Sequence, residues 1–278
     1  SVLIRGASGT GKERVARQIH AFSKRSAAPF VAVDCGALPR ELAASELFGH
    51  KKGAFTGAVE DKSGVFAAAE HGTLFLDEIG NLNMETQVQL LRALQEKRYR
   101  LVGGTEEMHA DVRLLAATNE DLEQAISEGR FREDLFHRLN EFPLHVPPLK
   151  DCGEDIMPLA GFLLSSANEE LEKEIRGFDR DVREAFVSYP WPGNIRELKN
   201  VVRRACVLAQ GDWITLKEIS LPVDVSPSDN YRLDMERTEQ EAIQKALEIT
   251  GNDRKAAARL LGISRSTLYL KLKKYGLI

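Results

Sequence analysis

The sequence predicts an α/β domain with a parallel-sheet core, followed by a helical subdomain and a small all-α unit. Three observations carry that reading. Short β-rich apolar runs alternate with amphipathic stretches from Val2 to about Val146. Apolar residues then recur at helical spacing from Asp155 to about Gln210. An aperiodic, proline-bearing stretch over 221–230 separates these from a final helical pattern. The 278 residues suit two compact units and a small third, at about 100–200 residues per domain.

Strands are expected at Val2–Arg5, Phe30–Val33, Thr73–Leu76, Val112–Ala117 and Phe142–Val146. Several are continuous apolar runs, which suits strands covered on both faces of a parallel sheet. A helix over Glu13–Phe22 follows the first strand. Pro147-Pro148 then breaks the chain. Beyond it Ile156, Leu159, Leu163 and Leu164 make one helical stripe, and Leu198, Val201, Val202, Ala205 and Leu208 another. The segment Leu221–Asn230, with Pro222, Pro227 and many turn formers, reads as a linker. Met235, Ala242, Ile243, Ala246 and Leu247 place a long helix over Arg232–Ile249, ended by Gly251-Asn252. Asp253 can cap a short helix, and a third starts near Ser264. The expected boundaries are 1–146, 147–220, 221–231 and 232–278.

Composition narrows the function classes. No run of about 18 apolar residues exists, so no membrane-spanning helix is expected. Ser1 to Gly6 run straight into a motif, so no signal peptide is expected and the location expected is cytoplasmic. The start reads as a domain cut into at its first strand, with sequence missing upstream. Cys35, Cys152 and Cys206 are scattered and suit small buried thiols in a reducing compartment. The six histidines make no metal-ligand spacing. The net charge of −4 argues against a uniformly basic coat for nucleic acid. It hides an asymmetry: Gly251–Ile278 holds seven basic residues and one acid, a net +6, leaving −10 on the remainder.

Gly6-Ala7-Ser8-Gly9-Thr10-Gly11-Lys12 follows an expected strand and opens an expected helix, the P-loop arrangement. Its glycines let backbone N–H groups turn inward around phosphates, the helix N-terminus adds positive potential, and Lys12 brings a point charge to the β/γ oxygens. Glu13 replaces the usual Ser or Thr, so a Mg²⁺ ion has to lean on phosphate, water and another carboxylate. Gly72-Thr73-Leu74-Phe75-Leu76-Asp77-Glu78 supplies it: an apolar strand ending in two acids, where Asp77 would hold Mg²⁺ through water and Glu78 would polarise the water attacking the γ-phosphate of ATP. Arg132 and Arg138, six residues apart, offer cations for the developing charge. On one helix they point in divergent directions, so a shared phosphate is not guaranteed. Without further context such arginines pair with surface acids like Glu133 and Asp134.

Glu46–Ala58 contains Gly53-Ala54-Phe55-Thr56-Gly57-Ala58. With the P-loop, the Asp77-Glu78 pair, Arg132, Arg138 and Trp191-Pro192-Gly193-Asn194-Ile195-Arg196-Glu197-Leu198 in that order, the chain resembles the bacterial enhancer-binding proteins, the AAA+ ATPases that activate sigma-54 RNA polymerase. The resemblance covers essentially the whole chain, and in that family Glu after the P-loop lysine is ordinary. It implies an AAA+ fold with a helical lid. Thr118-Asn119 would sense the γ-phosphate, and Arg132 and Arg138 would be fingers into the neighbouring subunit's nucleotide. Arg196 would be the lid arginine, and Phe55 and Thr56 the tip of a mobile loop touching the sigma factor. Arg98–His109 with Ala110 would be a second loop supporting the first. Read without the family, Phe55 is either a contact tip or a ring folded back into the core. Two positions depart from the family: Asp34, where Asn is usual and where a carboxylate would repel Glu78 or share a proton with it, and Ala67, where an acid is usual. Coupling of nucleotide state to the loop would then use other contacts.

Lys255–Lys274 has helix–turn–helix spacing, with Gly262 at the turn, Ser264 as cap, and Ile263, Leu268 and Leu272 inside. Arg265, Ser266, Thr267, Lys271 and Lys274 then face outward, suited to a major groove and its phosphates. The unit resembles the Fis-type DNA-binding domain. The helix Arg232–Ile249 is expected to pair two subunits on a palindromic enhancer site, and the resemblance implies a ring of six or seven. The expected function is a sigma-54-dependent activator that uses ATP hydrolysis to remodel the polymerase holoenzyme. The rival is a DNA-binding regulator whose ATP site is only an assembly switch at other promoters.

Overall fold

The computed structural model describes residues 1–221, together with Arg254 and Leu268. It divides into two compact units, Ser1–Ile219 and Ser220–Ile278. In the first, the elements run β1 (Val2–Arg5), α1 (Lys12–Ala21), β2 (Phe30–Asp34), α2 (Ala43–Phe48), β3 (Gly49–His50), β4 (Lys62–Ser63), α3 (Val65–Ala68) and β5 (Thr73–Asp77). The order continues with α4 (Met84–Glu96), β6 (Arg98–Arg100), β7 (Glu107–His109), β8 (Arg113–Thr118), α5 (Leu122–Ser127), α6 (Glu133–Leu139) and β9 (Pro143–His145). A helical part follows: α7 (Ile156–Leu171), β10 (Gly177–Phe178), α8 (Arg180–Ser188), α9 (Asn194–Leu208) and β11 (Trp213–Ile214).

The five strands expected from sequence form one parallel sheet in the order β2-β5-β8-β1-β9. Its strands alternate between two cores. Leu3, Leu74, Leu76, Leu114 and Ala116 face one side, whereas Ile4, Phe75, Leu115 and Ala117 face the other beside Ala16 of α1. Burial on both faces is why the sequence shows unbroken apolar runs rather than alternation. The carboxyl ends of these strands lie along one edge, so β1 delivers the P-loop, β2 delivers Asp34, β5 delivers Asp77 and Glu78, and β8 delivers Thr118 and Asn119. In open parallel sheets that edge is where ligands bind.

In the helical part, α9 buries Leu198, Val201, Val202, Ala205 and Cys206. Leu208, expected on the same stripe, is the last residue of the helix and is 54% exposed. Cys206, two residues earlier and outside the expected stripe, is buried. Trp191 anchors the turn before α9, its Nε1 donating to Phe186 O at 2.8 Å and its ring lying edge-on to Phe186 and Tyr189. Lys173 Nζ closes the far end of α9 by donating to Cys206 O (2.7 Å), Val207 O (2.8 Å) and Ala209 O (3.0 Å).

Of the thiols, Cys35 and Cys206 are buried, but Cys152 is only half-buried. Among the described residues no helix is long and apolar enough to cross a membrane. Leu268 is helical and buried and Arg254 is helical and exposed. The expected linker beyond Leu221, the helix Arg232–Ile249 and the outward-facing set Arg265, Ser266, Thr267, Lys271 and Lys274 lie outside the described residues.

Candidate active site

The loop between β1 and α1 is built for an anion. Gly9 and Gly11 have φ of 79° and 89°, a left-handed conformation costly to residues with a Cβ. A Cβ at Gly6 would come within 2.7 Å of Val146 O. Thr10 is buried, its Oγ1 donating to Ala7 O at 2.8 Å. Lys12 is only 5% exposed, and its Nζ donates to Gly6 O at 3.1 Å and lies 3.5 Å from Glu78 Oε1. A buried ammonium, left-handed glycines and the start of a helix make a donor set suited to a polyphosphate. Glu13, one residue on, is exposed and ion-paired with Arg17 at 2.7 Å along the outer face of α1.

The two acids at the end of β5 sit differently. Burial holds the Asp77 carboxyl above its ordinary range, with Lys12 opposing and Glu78 and Asp34 adding to the rise. Asp77 Oδ1 accepts from Glu78 N at 3.0 Å. Glu78 has a left-handed backbone, φ 51° and ψ 49°, which turns its side chain back to the strand edge. There its Oε1 faces Lys12, while Oε2 accepts from Asn119 N at 3.2 Å. Lys12, Glu78 and Asn119, distant in sequence, thus meet at one point.

Asp34 is the register partner of Asp77. The two expected outcomes are repulsion of Glu78 or a proton shared with it. No hydrogen bond between the two carboxyls is present; Asp34 Oδ1 accepts from Gly36 N at 2.8 Å, because the chain turns back on itself immediately after β2. Its charge is felt by Asp77 and by Cys35, whose thiol is pushed up to about 12 by burial and by the carboxylates of Asp34, Asp77 and Glu78.

Arg132 precedes α6 and chelates Asp134 through Nε (2.9 Å) and Nη2 (2.6 Å). Arg138, in the last turn of α6, donates to Glu141 at 2.5 Å and to Leu94 O at 3.3 Å. Both engage acids of their own chain, as the surface reading of such arginines anticipates, rather than the P-loop. A cleft of about 670 Å³ opens beside Glu78 and Asn119, bordered by Arg40, Asn81 and Arg130.

The helical part closes on the P-loop. Arg196 Nη1 donates to Ser8 Oγ at 2.9 Å, and Arg196 N to Gly9 O at 3.2 Å. Asn194, to which sequence reasoning gave no role, is 3% exposed and donates from Nδ2 to Ser8 O at 2.9 Å. The signal available was its place after Pro192-Gly193, since Asn tolerates the left-handed φ of 52° found there.

Gly53–Ala58 forms a turn closed by Gly53 N donating to Ala58 O at 2.8 Å. Thr56 is exposed at its tip. Phe55 is half-buried, its ring edge-on to His50 at 5.0 Å, an intermediate between the two readings of the sequence. His50 is itself fixed by a 2.7 Å hydrogen bond between Nδ1 and Ser45 Oγ. The second loop is the β6–β7 hairpin, and it does pack on the first: a Cβ at Gly103 would lie 2.7 Å from Ala54 Cβ. Ala67 is exposed. Beside it, Phe66 stacks on Phe48 at 5.1 Å and leans on Tyr99 at 5.6 Å, so an aromatic cluster joins the bases of the two loops.

Comparison with known proteins accounts for almost the full length. The family described as Sigma-54 interaction domain matches residues 1–145, AAA+ ATPase lid domain matches 150–233, and Bacterial regulatory protein, Fis family, matches 234–275. The chain is 48% identical over 280 residues to the transcriptional regulatory protein ZraR of Klebsiella oxytoca, covering 99% of this chain and 63% of that protein. It is 42% identical over 314 residues to the DNA-binding transcriptional regulator NtrC of Rhizobium meliloti, covering 99% and 65%. It therefore spans less than two thirds of the length of these curated relatives. The crystal structure of NtrX from Brucella abortus in complex with ATP matches with a TM-score of 0.76 at 36% identity, covering 99% of this chain and 63% of that one. An AAA+ sheet with the P-loop, a lid seated on that loop and a Fis-type terminus leave one assignment: the chain belongs to the Sigma-54 interaction domain family of AAA+ proteins.

Proposed function

We propose that the chain is an ATPase that activates transcription by sigma-54 RNA polymerase, acting from enhancer DNA in the cytoplasm. Its working parts are an α/β nucleotide-binding part (1–146), a lid (147–220), a linker (221–231) and a helix–turn–helix unit (232–278). Gly6, Ala7, Ser8, Gly9, Thr10, Gly11 and Lys12 cradle the phosphates, with Glu13 at the loop's edge; Thr118-Asn119 senses the γ-phosphate, and Arg196 binds the nucleotide as the arginine of the lid. Asp77 would hold a Mg²⁺ ion, and the ion would neutralise phosphate charge when bound. Glu78 polarises the attacking water, for which its position between Lys12 and Asn119 N suits it.

Arg132 and Arg138 leave their own acids to reach the nucleotide of the next subunit in a ring of six or seven, entering beside Glu78 and Asn119. Gly53–Ala58 is the segment that meets the sigma factor. Arg265, Ser266, Thr267, Lys271 and Lys274 hold a palindromic DNA site as a dimer.

The observation that carries this reading is the closed Gly53–Ala58 turn with Thr56 exposed, on a chain whose strand ends gather Lys12, Asp77, Glu78 and Asn119. The decisive assay is open-complex formation at a sigma-54 promoter with ATP. The wild-type chain opens the promoter, and Thr56→Ala abolishes opening while ATP turnover and DNA binding stay within about threefold, since the loop tip holds none of the residues assigned to nucleotide or DNA. Hydrolysis and DNA binding without opening by the wild type would instead favour an ATP-dependent assembly switch.

A further inference from the structure

The lid grips the P-loop by its backbone. Asn194 Nδ2 donates to Ser8 O at 2.9 Å, and Asn194 Oδ1 accepts from Leu149 N at 2.8 Å. These partners fix the orientation of the amide, because Leu149 N can only donate and Ser8 O can only accept. Next to this contact Arg196 N donates to Gly9 O at 3.2 Å. Gly193 O closes over the loop so tightly that a Cβ at Gly9 would lie 2.4 Å from it.

A trans peptide directs its C=O and N–H to opposite sides, and no cis peptide occurs among the described residues. Pinning Ser8 O to the lid therefore turns Gly9 N–H away from the lid and into the hollow of the loop. Pinning Gly9 O likewise holds Thr10 N–H turned across the loop, where it donates to Ala7 O at 3.4 Å and braces the turn. Converging amides are what an anion cradle requires. A loop with Gly at 9 and 11 could otherwise flip these peptides at little cost.

We propose that Asn194 is a positioning residue for nucleotide binding. From the first turn of α9 it locks the Ser8–Gly9 peptide with Gly9 N–H aimed at the phosphates, so phosphate affinity depends on where the lid sits. The proposal rests on the nucleotide reading of Gly6–Lys12.

Asn194→Asp separates this role from a merely structural one. The carboxylate keeps the acceptor for Leu149 N and tolerates φ of 52°. It lacks a donor for Ser8 O and sets a negative oxygen against that carbonyl. Calorimetric titration of the full chain with ATP and with ADP is expected to give Kd values raised about tenfold or more for both, as loss of a buried charge-free donor and an added repulsion imply. The melting temperature of the nucleotide-free protein should fall by only about 2–4 °C. In turnover the loss should fall on KM more than on kcat. Asn194→Gly removes both side-chain bonds while suiting the left-handed backbone. It should lose affinity likewise, and it remains readable if the Asp variant fails to fold. Wild-type Kd values in either folded variant would overturn the proposal, as would a fall in kcat at unchanged KM. Failure of the wild-type chain itself to bind ATP would overturn the nucleotide reading instead.

Discussion

Arg25 shows how single side chains hold the back of the sheet. Its Nη1 donates to Gly72 O (3.0 Å) and Asp111 O (2.8 Å), and its Nη2 to Asp111 Oδ1 at 2.6 Å. That guanidinium, helped by His71, holds the Asp111 carboxyl down at about 2, below its ordinary 3.8. A carboxyl depressed on folding stabilises the native state above its unfolded pKa, and the contribution disappears as pH falls through the folded value. Asp111 is 39% exposed, so solvent screening leaves about 1 kcal/mol of the formal shift. Asp111→Asn should therefore be less stable than wild type by about that amount at neutral pH. The gap in urea midpoints should stay constant down to about pH 5 and close between about pH 4 and pH 2. A gap independent of pH would mean that the carboxylate charge contributes nothing. At this scale the sequence was partly legible. Lys12, Asp77 and Glu78 announce themselves by local pattern, whereas Asn194 acquires its role from a partner 186 residues away, Ser8, which no window along the chain contains.

Among elements, legibility followed burial. The central strands β1, β5 and β8 are apolar because both faces are covered, and all five sheet strands fall within a residue or so of the expected bounds. The hairpin β6–β7 was invisible as strand. Arg98 and Arg100 are exposed and both pair with Glu107, and the alternation around buried Tyr99 lasts only three residues, too short a signal to mark a strand. The same logic explains α9, whose apolar stripe is legible in the sequence except at its end, where Leu208 faces out. That end depends on Lys173, which satisfies three carbonyls left free by the last turn and places a cation at the negative pole of the helix. Lys173→Met keeps the stem and removes the charge. We expect a loss of about 1–2 kcal/mol, seen as a melting temperature lower by about 2–8 °C, with nucleotide affinity unchanged because Lys173 touches only the far end of α9. An unaltered melting temperature would show that water caps those carbonyls equally well.

For the whole molecule, the arrangement of cations sets the problem. Lys12 serves the P-loop of its own chain, yet Arg132 and Arg138 are engaged by Asp134 and Glu141 outside that loop. One chain thus carries a nucleotide cradle and, elsewhere, the arginines a phosphoryl transfer would use. In the proposed head-to-tail ring, every boundary would join the cradle of one subunit to the α6 end of the next. Sequence spacing alone does not reveal such an arrangement, since the surfaces it would join lie far apart in one chain. The arrangement predicts complementation. Arg138→Ala should bind ATP and not hydrolyse it, and Glu78→Gln should fail for the opposite reason, lacking the group that polarises water. In an equimolar mixture of the two, a boundary is complete only where Glu78 from an Arg138→Ala subunit faces Arg138 from a Glu78→Gln subunit. Random mixing makes about a quarter of boundaries complete, so about a quarter of wild-type turnover should return although each parent is inactive. The amount should fall away on either side of the equimolar ratio. Mixed rings that form, as shown by co-purification of differently tagged chains, and yet stay inactive at every ratio would place Arg138 in the site of its own subunit.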